Sequence, residues 1–214
     1  MALNKNSNMI VGLDIGTSKV VCIVGKYNNE NKLEIVALGA YPSSGLKKGV
    51  VVNIDATTDA ISKAVEQAQS MIEEKISSVF VGIAGNHIKS LNSQGAVGIR
   101  DKEVTSYDVD RVIDSAQAVS IPSDQRVLHV LPQEFVIDGQ EVSLDPLGMS
   151  GVRLEAKVHL VTCANSAIKN IEKCIKNCGL SVDGFVLEQL ASSHSILSSD
   201  EKDLGVCMVD IGGG

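Results

Sequence analysis

The stretch Val11-Gly12-Leu13-Asp14-Ile15-Gly16-Thr17-Ser18-Lys19-Val20-Val21 decides the fold of this chain of 214 residues. An apolar strand leads into a glycine turn and out into a second apolar run, which is typical of a β-hairpin. Glycine lets backbone N–H groups approach an anion, while Thr17, Ser18 and Lys19 add donors and a positive charge. We therefore predict a hairpin that binds phosphate.

The acid of this stretch, Asp14, cannot bind phosphate directly, because both groups are anions. A hydrated Mg²⁺ held against the phosphates is its expected partner. An ordinary hairpin turn is the alternative interpretation, since Asp and Gly are favoured turn residues.

The same pattern returns at the other end of the chain, which reads Leu204-Gly205-Val206-Cys207-Met208-Val209-Asp210-Ile211-Gly212-Gly213-Gly214. Two Asp-Ile-Gly turns, each after a β-rich run, predict two similar half-domains that face one nucleotide. The second copy stops directly after its strand and turn, so we expect a truncated chain.

The composition favours a globular protein with an aliphatic core. Hydrophobic residues make up 44% of the chain, aromatic residues make up 3%, and the formal net charge is −7. This charge argues against a nucleic-acid partner, which would need a clustered basic surface. The sequence has no apolar run of about 18 residues that could span a membrane, and residues 1–8 lack the apolar core of a signal peptide. These features predict a cytoplasmic protein.

The segments around the hairpin predict an α/β fold. Apolar residues recur every three or four positions over residues 57–74, which indicates a helix with one buried face. A nearly continuous apolar run over residues 79–84 then predicts a buried strand, so the order strand, helix, strand implies a parallel sheet. The pattern resumes with a helix from residue 165, a strand over 183–187 and a helix over 190–197.

Between these segments the pattern predicts a small α+β insert. Strand patterns cover residues 88–99, 126–137 and 152–161, and a helix pattern covers residues 107–119. In the last strand apolar and polar residues alternate strictly, so we expect one buried face and one wet face. The polar face is either a plain solvated surface or a protein contact surface.

Two features have two interpretations each. The loop over residues 42–49 contains two glycines and two lysines, and it is either a solvated connection or a loop near a nucleotide or partner. Glu188 lies where a predicted strand gives way to a predicted helix. It is either a group that polarises a water near a γ-phosphate or a solvent-exposed glutamate.

Several segments together resemble FtsA, the actin-like protein family of the bacterial division ring. Residues 12–20 and 209–214 resemble the two phosphate loops that this family shares with actins and sugar kinases. Residues 42–49, 126–134 and 145–156 resemble segments of FtsA in particular. The similarity extends over nearly the whole chain.

The resemblance implies an actin-like fold of the ribonuclease H type, divided into subdomains. Residues 1–84 and 158–203 would form the two parts of subdomain 1A, which is α/β. Residues 85–157 would form the inserted α+β subdomain 1C, of the SHS2 type. Residues 204–214 would begin subdomain 2A and carry the second phosphate loop.

The resemblance also implies a function in cell division. FtsA proteins bind ATP with Mg²⁺, are at most weak ATPases, and associate with one another into filaments. They dock the C-terminal tail of FtsZ and reach the cytoplasmic face of the inner membrane, at the division site, through a C-terminal amphipathic helix. Subdomain 1C recruits late division membrane proteins. The FtsZ-docking regions and the helix would lie beyond Gly214, so we expect residues 1–214 alone to bind ATP weakly and to bind no membrane.

Carried over residue by residue, the resemblance implies three groups of site residues. Asp14 and Asp210 would hold Mg²⁺, and Glu188 would be a catalytic acid that positions water. The residues that would contact the nucleotide are Gly12, Asp14, Gly16, Thr17, Ser18, Lys19, Asp210, Gly212, Gly213 and Gly214.

Two other classes of protein compete with this interpretation. A PilM-like adaptor of a pilus or secretion assembly would share both phosphate loops, although residues 145–156 argue against it. A sugar or acetate kinase would need a substrate pocket with a catalytic base, and the insert offers no convergent pair of acids.

Overall fold

The computed structural model describes residues 9–142 and 145–213. The described residues form eleven strands and five helices. In order, the elements are β1 (Met9–Ile15), β2 (Lys19–Tyr27), β3 (Leu33–Pro42), β4 (Leu46–Lys47), β5 (Val50–Val51), α1 (Ile54–Gln69), β6 (Ser78–Ile83), β7 (Ile88–Gly98), α2 (Ser106–Gln117), β8 (Gln125–Ile137), β9 (Gln140–Val142), β10 (Arg153–Ala164), α3 (Asn165–Asn177), β11 (Ser181–Leu187), α4 (Glu188–Ile196) and α5 (Ser199–Leu204).

The chain divides into two compact units. Unit 1 contains the described residues up to His87 and from Ser166 onward, and the inserted unit spans Ile88–Asn165. The sequence predicts the insert over residues 85–157; the later end in the structure follows from β10, which continues unbroken to Ala164. In the part of the chain that the structure describes, no helix combines the length and apolar character needed to cross a membrane.

Unit 1 is built on a five-stranded sheet with the order β11-β6-β1-β2-β3. β1 and β2 form the predicted antiparallel hairpin, in which Asp14 lies opposite Val21. β3 is antiparallel to β2, whereas β1, β6 and β11 are mutually parallel, so the sheet is mixed where the order strand, helix, strand predicts a parallel sheet. Because they are parallel, their carboxyl ends meet at one edge of the sheet.

Helix α1 packs on β2 and β3. The approach is close, because a Cβ on Gly39 of β3 would overlap the backbone of Ala64. Helix α3 lies beside α1, since the Sγ of Cys174 is 3.7 Å from the backbone oxygen of Ile54. The buried apolar side chains that α1 contributes are Ala60, Ile61, Ala64 and Ala68.

Helix α1 begins and ends earlier than the predicted range of 57–74, so that range is wrong by a few residues at each end. Asn53 caps its start by accepting a hydrogen bond from the N–H of Ala56 at 3.0 Å. After its end, Gln69 Oε1 accepts a hydrogen bond from the N–H of Ile76 at 2.8 Å. This side-chain bond stabilises a turn where the apolar spacing alone would continue the helix.

The inserted unit is a four-stranded antiparallel sheet with the order β7-β10-β8-β9, and helix α2 packs on β7 and β10. Thr105 and Asp108 form a reciprocal capping box at the start of this helix. The predicted alternation in β10 is confirmed. Leu154, Ala156, Val158 and Leu160 are buried on one face and share a core with Val112 and Ala116 of α2.

The other face of β10 is polar, as the alternation predicts. Lys157 Nζ lies 2.8 Å from Glu134 Oε1 on β8, and Gln94 Nε2 on β7 donates a hydrogen bond to Glu155 Oε2 at 2.6 Å. Charged and amide groups of this face therefore pair across neighbouring strands. Whether the face contacts another protein stays a prediction.

The C-terminal segment differs from its predicted strand. Helix α5 ends at Leu204, and residues 205–213 form no strand. Val209 and Ile211 in this segment are 72% and 89% exposed. A strand needs a neighbour to satisfy its backbone groups, and in the described chain no strand pairs with this segment.

Candidate phosphate-binding site

The first predicted phosphate loop is the turn between β1 and β2. The N–H of Gly16 donates a hydrogen bond to the carbonyl of Lys19 at 3.0 Å, which closes the turn. A Cβ on Gly16 would lie 2.9 Å from that same oxygen, so this position requires glycine. The tight turn presents Thr17 and Ser18 at the carboxyl edge of the sheet.

Two further hydrogen bonds fix this turn. Thr17 Oγ1 accepts a hydrogen bond from the N–H of Gly49 at 3.2 Å, and the carbonyl of Ser18 accepts one from the N–H of Ser43 at 3.0 Å. Both donors belong to the loop over residues 42–49. The sequence leaves two interpretations of this loop open. The structure supports the one in which the loop lies near the predicted nucleotide site.

Two acids meet at the carboxyl edge of the sheet. Asp14 lies near the end of β1, Glu188 begins α4 directly after β11, and their side chains share a hydrogen bond. The strand between them, β6, leaves room because its residue there is Gly82, where a Cβ would lie 3.0 Å from Glu188 Cγ. The parallel strands thus bring the acid of the first loop to the predicted catalytic acid.

The surroundings raise the pKa of both acids. Burial raises the pKa of Glu188 to about 7, and the charge and hydrogen bond of Asp14 and the charge of Asp210 act in the same direction. Burial also raises the pKa of Asp14, although its side chain is open to the cleft on one side. The hydrogen bond from Glu188 and the charge of Lys19 oppose that rise. The two carboxyl groups therefore share a proton near neutral pH, held by Glu188.

The second predicted loop reaches the first one. A Cβ on Gly213 would overlap the hydroxyl of Ser18, whereas a Cβ on Gly212 would meet nothing within 4 Å. The charge of Asp210 acts on both acids of the pair. Two segments that lie far apart in sequence therefore come together, while Gly214 lies outside the described residues.

A cleft of about 710 Å³ joins these groups. Val21, Ile23 and Phe80 add an apolar patch to its wall. The cleft is lined by every predicted site residue that the structure describes, namely Gly12, Asp14, Gly16, Thr17, Ser18, Lys19, Glu188, Asp210, Gly212 and Gly213.

Other residues of this cleft were not assigned from the sequence. Lys48 and Gly49 line it from the β4–β5 turn, and Gln189 and Ser192 line it from α4. Gly82 carries a signal that could have been used, because an isolated glycine inside an apolar strand marks a close approach of another group. Lys48 and Gly49 belong to the loop over residues 42–49, whose lysines and glycines are a signal of this kind, whereas Gln189 and Ser192 have no comparable local signal.

Three acids line the cleft, namely Asp14, Glu188 and Asp210. Among the described residues, no group of three or more His, Cys, Asp or Glu side chains is placed to hold a metal ion. Mg²⁺ does not need such a group when phosphates and waters supply most of its ligands. Asp14 and Glu188 share a proton that a dication would displace, and the charge of Asp210 lies close by. These acids fit Mg²⁺ bound to phosphates.

Comparison with known proteins gives long stretches of similar sequence. The chain is 63% identical over 214 residues to the cell division protein FtsA of Pseudomonas aeruginosa, covering 100% of this chain and 51% of that protein. It is 46% identical over 206 residues to FtsA of Escherichia coli, covering 96% of this chain and 49% of that protein. The chain spans about half the length of the curated relatives it matches.

A family model and a solved structure add to these relatives. Residues 85–162 match the model described as the SHS2 domain inserted in FTSA. The PilM-PilN type IV pilus biogenesis complex has a similar fold, with a TM-score of 0.60 at 14% identity over 86% of this chain and 49% of that chain. At this identity the similarity concerns the fold alone, and it agrees with the predicted actin-like class.

Proposed function

Since this chain is 63% identical over its whole length to an FtsA cell division protein, we propose that it belongs to the FtsA family and is the nucleotide-binding part of an actin-like division adaptor. In this proposal ATP binds with Mg²⁺ in the cleft of unit 1. The observation that carries it is the meeting of two Asp-Ile-Gly segments, one from each end of the chain, around a single cleft.

The residues have distinct roles in this proposal. The N–H groups of the turn at Gly16, with Thr17, Ser18 and Lys19, bind the phosphates. Asp14 and Asp210 hold the Mg²⁺ that neutralises phosphate charge. The second loop contributes through Gly212, Gly213 and Gly214, and Gly12 forms part of the cleft floor.

Glu188 is the candidate for positioning water near the terminal phosphate. Its carboxyl group is protonated up to a pH of about 7 in the ligand-free protein and donates its hydrogen bond to Asp14. Binding of a dication beside Asp14 would favour release of that proton, which would leave a carboxylate able to accept a hydrogen bond from water. This role requires at most weak ATPase activity.

In the cell, the complete protein would link FtsZ to the cytoplasmic membrane. We propose that it assembles into filaments, docks the C-terminal tail of FtsZ, and lies peripherally on the cytoplasmic face of the inner membrane through an amphipathic helix. The inserted unit would recruit late division membrane proteins. These roles rest on family membership, and the docking and anchoring segments belong to parts of FtsA proteins outside residues 1–214.

Titration of the complete gene product with Mg²⁺ and ATP by calorimetry tests the nucleotide proposal. We expect saturable binding with one site per chain, and a loss of at least tenfold in affinity for Asp14→Asn, because its charge holds the metal. Asp55→Asn is the matched control, since Asp55 is exposed on α1 away from the cleft. Absence of ATP binding by the unaltered protein would reject the proposal.

Depletion of the chromosomal copy in the source bacterium tests the division role. Cells that carry the plasmid-borne Asp55→Asn protein should divide. Cells that carry the Asp14→Asn protein should fail to divide and should grow into long undivided cells. A fluorescent fusion of the unaltered protein should form a ring at midcell. Normal division after depletion without any plasmid copy would contradict the division role, whatever the result of the ATP titration.

A further inference from the structure

The turn between β4 and β5 places in the nucleotide cleft a lysine that belongs to neither of the two phosphate loops. Lys48 and Gly49 line the same cleft as Thr17, Ser18 and Lys19. The side chain of Lys47, which is also in the described part of the chain, is not among the groups that line it. Two adjacent lysines therefore differ in their relation to the site.

The backbone of this turn is unusual. Lys48 has a φ of 51° and Gly49 a φ of 74°, so both residues are in the left-handed region. Only a few per cent of residues other than glycine adopt this region, and Asn and Asp are its usual occupants. A lysine held there at an energetic cost is a pattern that clusters at functional sites.

The surrounding chain holds the turn in this conformation. The N–H of Gly49 donates its hydrogen bond to Thr17 in the phosphate loop, at 3.2 Å. On the other side, a Cβ on Gly49 would lie 2.5 Å from the carbonyl oxygen of Ala84, and a Cβ on Gly85 would lie 3.1 Å from that of Lys48. The turn is thus wedged between the phosphate loop and the residues that follow β6.

The charge of Lys48 is available to a ligand. Its side chain is exposed, and within the described residues no carboxylate forms an ion pair with it. Lys19, by contrast, interacts electrostatically with Asp14. An ammonium group on a fixed turn, next to donors suited to phosphate, gains most from an anion with several charges.

We propose that Lys48 is a second phosphate-binding lysine of the site, and that the β4–β5 turn adjusts affinity to the number of phosphates on the nucleotide. The inference rests on the proposed nucleotide-binding function and adds a residue and a specificity to it. The wedged left-handed turn and its position in the cleft carry the inference. The contribution of Lys48 should grow from AMP to ADP to ATP, because the ligand charge grows in that order.

The test compares three variants of the complete gene product by calorimetry with AMP, ADP and ATP in the presence of Mg²⁺. Lys48→Gln should weaken ATP binding about tenfold, the loss expected for a charge-assisted contact, and should weaken ADP less and AMP hardly at all. Lys48→Arg should restore most of the ATP affinity. Lys47→Gln is the matched control and should bind all three nucleotides like the unaltered protein.

A further variant separates binding from folding. Lys48→Gly removes the charge but suits the left-handed backbone, so its melting temperature should equal or exceed that of the unaltered protein while its ATP affinity falls as in Lys48→Gln. A purely structural role for Lys48 predicts the opposite, namely unchanged ATP affinity in this variant.

Two results would overturn the inference and leave the proposed function intact. One is ATP affinity of Lys48→Gln equal to that of the unaltered protein. The other is an equal loss in Lys47→Gln and Lys48→Gln, which would indicate a general effect of surface charge. If the unaltered protein binds no nucleotide, the proposed function and this inference fail together.

Discussion

The two Asp-Ile-Gly segments of this chain have the same three-residue core and different structures. Asp14 lies in β1, which pairs over its whole length with β2 and also with β6. Asp210 lies in residues 205–213, which form no strand, and the side chain of the following Ile211 is 89% exposed. The motif alone therefore does not determine whether the backbone forms a strand. A neighbouring strand that pairs with it is also needed.

The difference extends to the glycines. Gly16 closes a turn in which a Cβ would crowd the carbonyl of Lys19, so this glycine is a requirement of the fold. Gly212 has open space where its Cβ would be, so no contact in this structure requires glycine there. If both segments bind phosphate, strand pairing fixes the first loop before the ligand binds, whereas the second segment has no strand pairing to fix it.

The largest expected difference between the two segments is in how much a glycine-to-alanine substitution lowers the free energy of unfolding. Gly16→Ala should lower the free energy of unfolding by about 1–3 kcal/mol, because the new methyl group displaces the turn. Gly212→Ala should change it by less than about 0.5 kcal/mol. Urea unfolding followed by far-UV circular dichroism measures both values. Equal losses in the two variants would contradict the difference between the segments.

The next effect concerns the proton shared by the acids. The carboxyl of Glu188 has an ordinary pKa of 4.5 and a pKa of about 7 in the fold, so the folded chain binds more protons between these values. Stability should therefore fall as pH rises from about 4.5 to about 7 and remain lower above pH 7. The raised pKa of Asp14 acts in the same direction.

Glu188→Gln should remove most of this pH dependence, because the amide can donate to Asp14 without titrating. Relative to the unaltered protein, the variant should gain stability on the order of 1 kcal/mol at pH 8 and less at pH 5. Thermal melts across this pH range measure the change. The exposed Glu73→Gln is the control, and a similar gain there would attribute the effect to net charge.

An effect of similar size is expected at the hydrogen bond that fixes the first loop. Thr17→Val removes the acceptor for the N–H of Gly49 and should cost about 1 kcal/mol in unfolding free energy. Thr17→Ser keeps the oxygen and should retain most of the stability. If valine and serine behave alike in urea titrations, the hydrogen bond does not hold the loop.

The smallest stability effect is expected where the second segment meets the first. Gly213→Ala places a methyl group against the Ser18 hydroxyl, yet the segment has no strand pairing to lose. Its unfolding free energy should change by less than about 0.5 kcal/mol, while ATP affinity falls by roughly threefold. A large loss of stability in Gly213→Ala would show that the segment is part of the folded core.

The sequence predicts most of the fold because the periodic patterns report burial directly. The alternation in β10 and the continuous apolar run of β6 correspond to one buried face and to a central strand, respectively. The end of α1 was not predictable from spacing, since the side chain of Gln69 stabilises a turn there. A side-chain hydrogen bond of this kind leaves no periodic signal.

The residues of the candidate site that lie in one stretch of sequence were predictable. The contacts between residues from different strands were harder to predict, because they depend on the order of the strands in the sheet. Asp14, Gly16 and Lys19 lie in one stretch of sequence, whereas the pairing of Asp14 with Glu188 follows from the parallel order of β1, β6 and β11. Lys48 enters the cleft through a left-handed turn, and a lysine is not the residue that suggests such a turn. The strand expected after residue 204 requires a partner that this chain does not provide among its described residues.

A crystal structure of the complete gene product with Mg²⁺ and a non-hydrolysable ATP analogue tests the central claim most directly. We predict the phosphates between the turn at Gly16 and the segment at Gly212 and Gly213, with the metal ion beside Asp14 and Asp210. Residues 205–213 should be ordered against the ligand. Phosphates bound elsewhere, or bound to the first loop with the second segment turned away, would contradict the account.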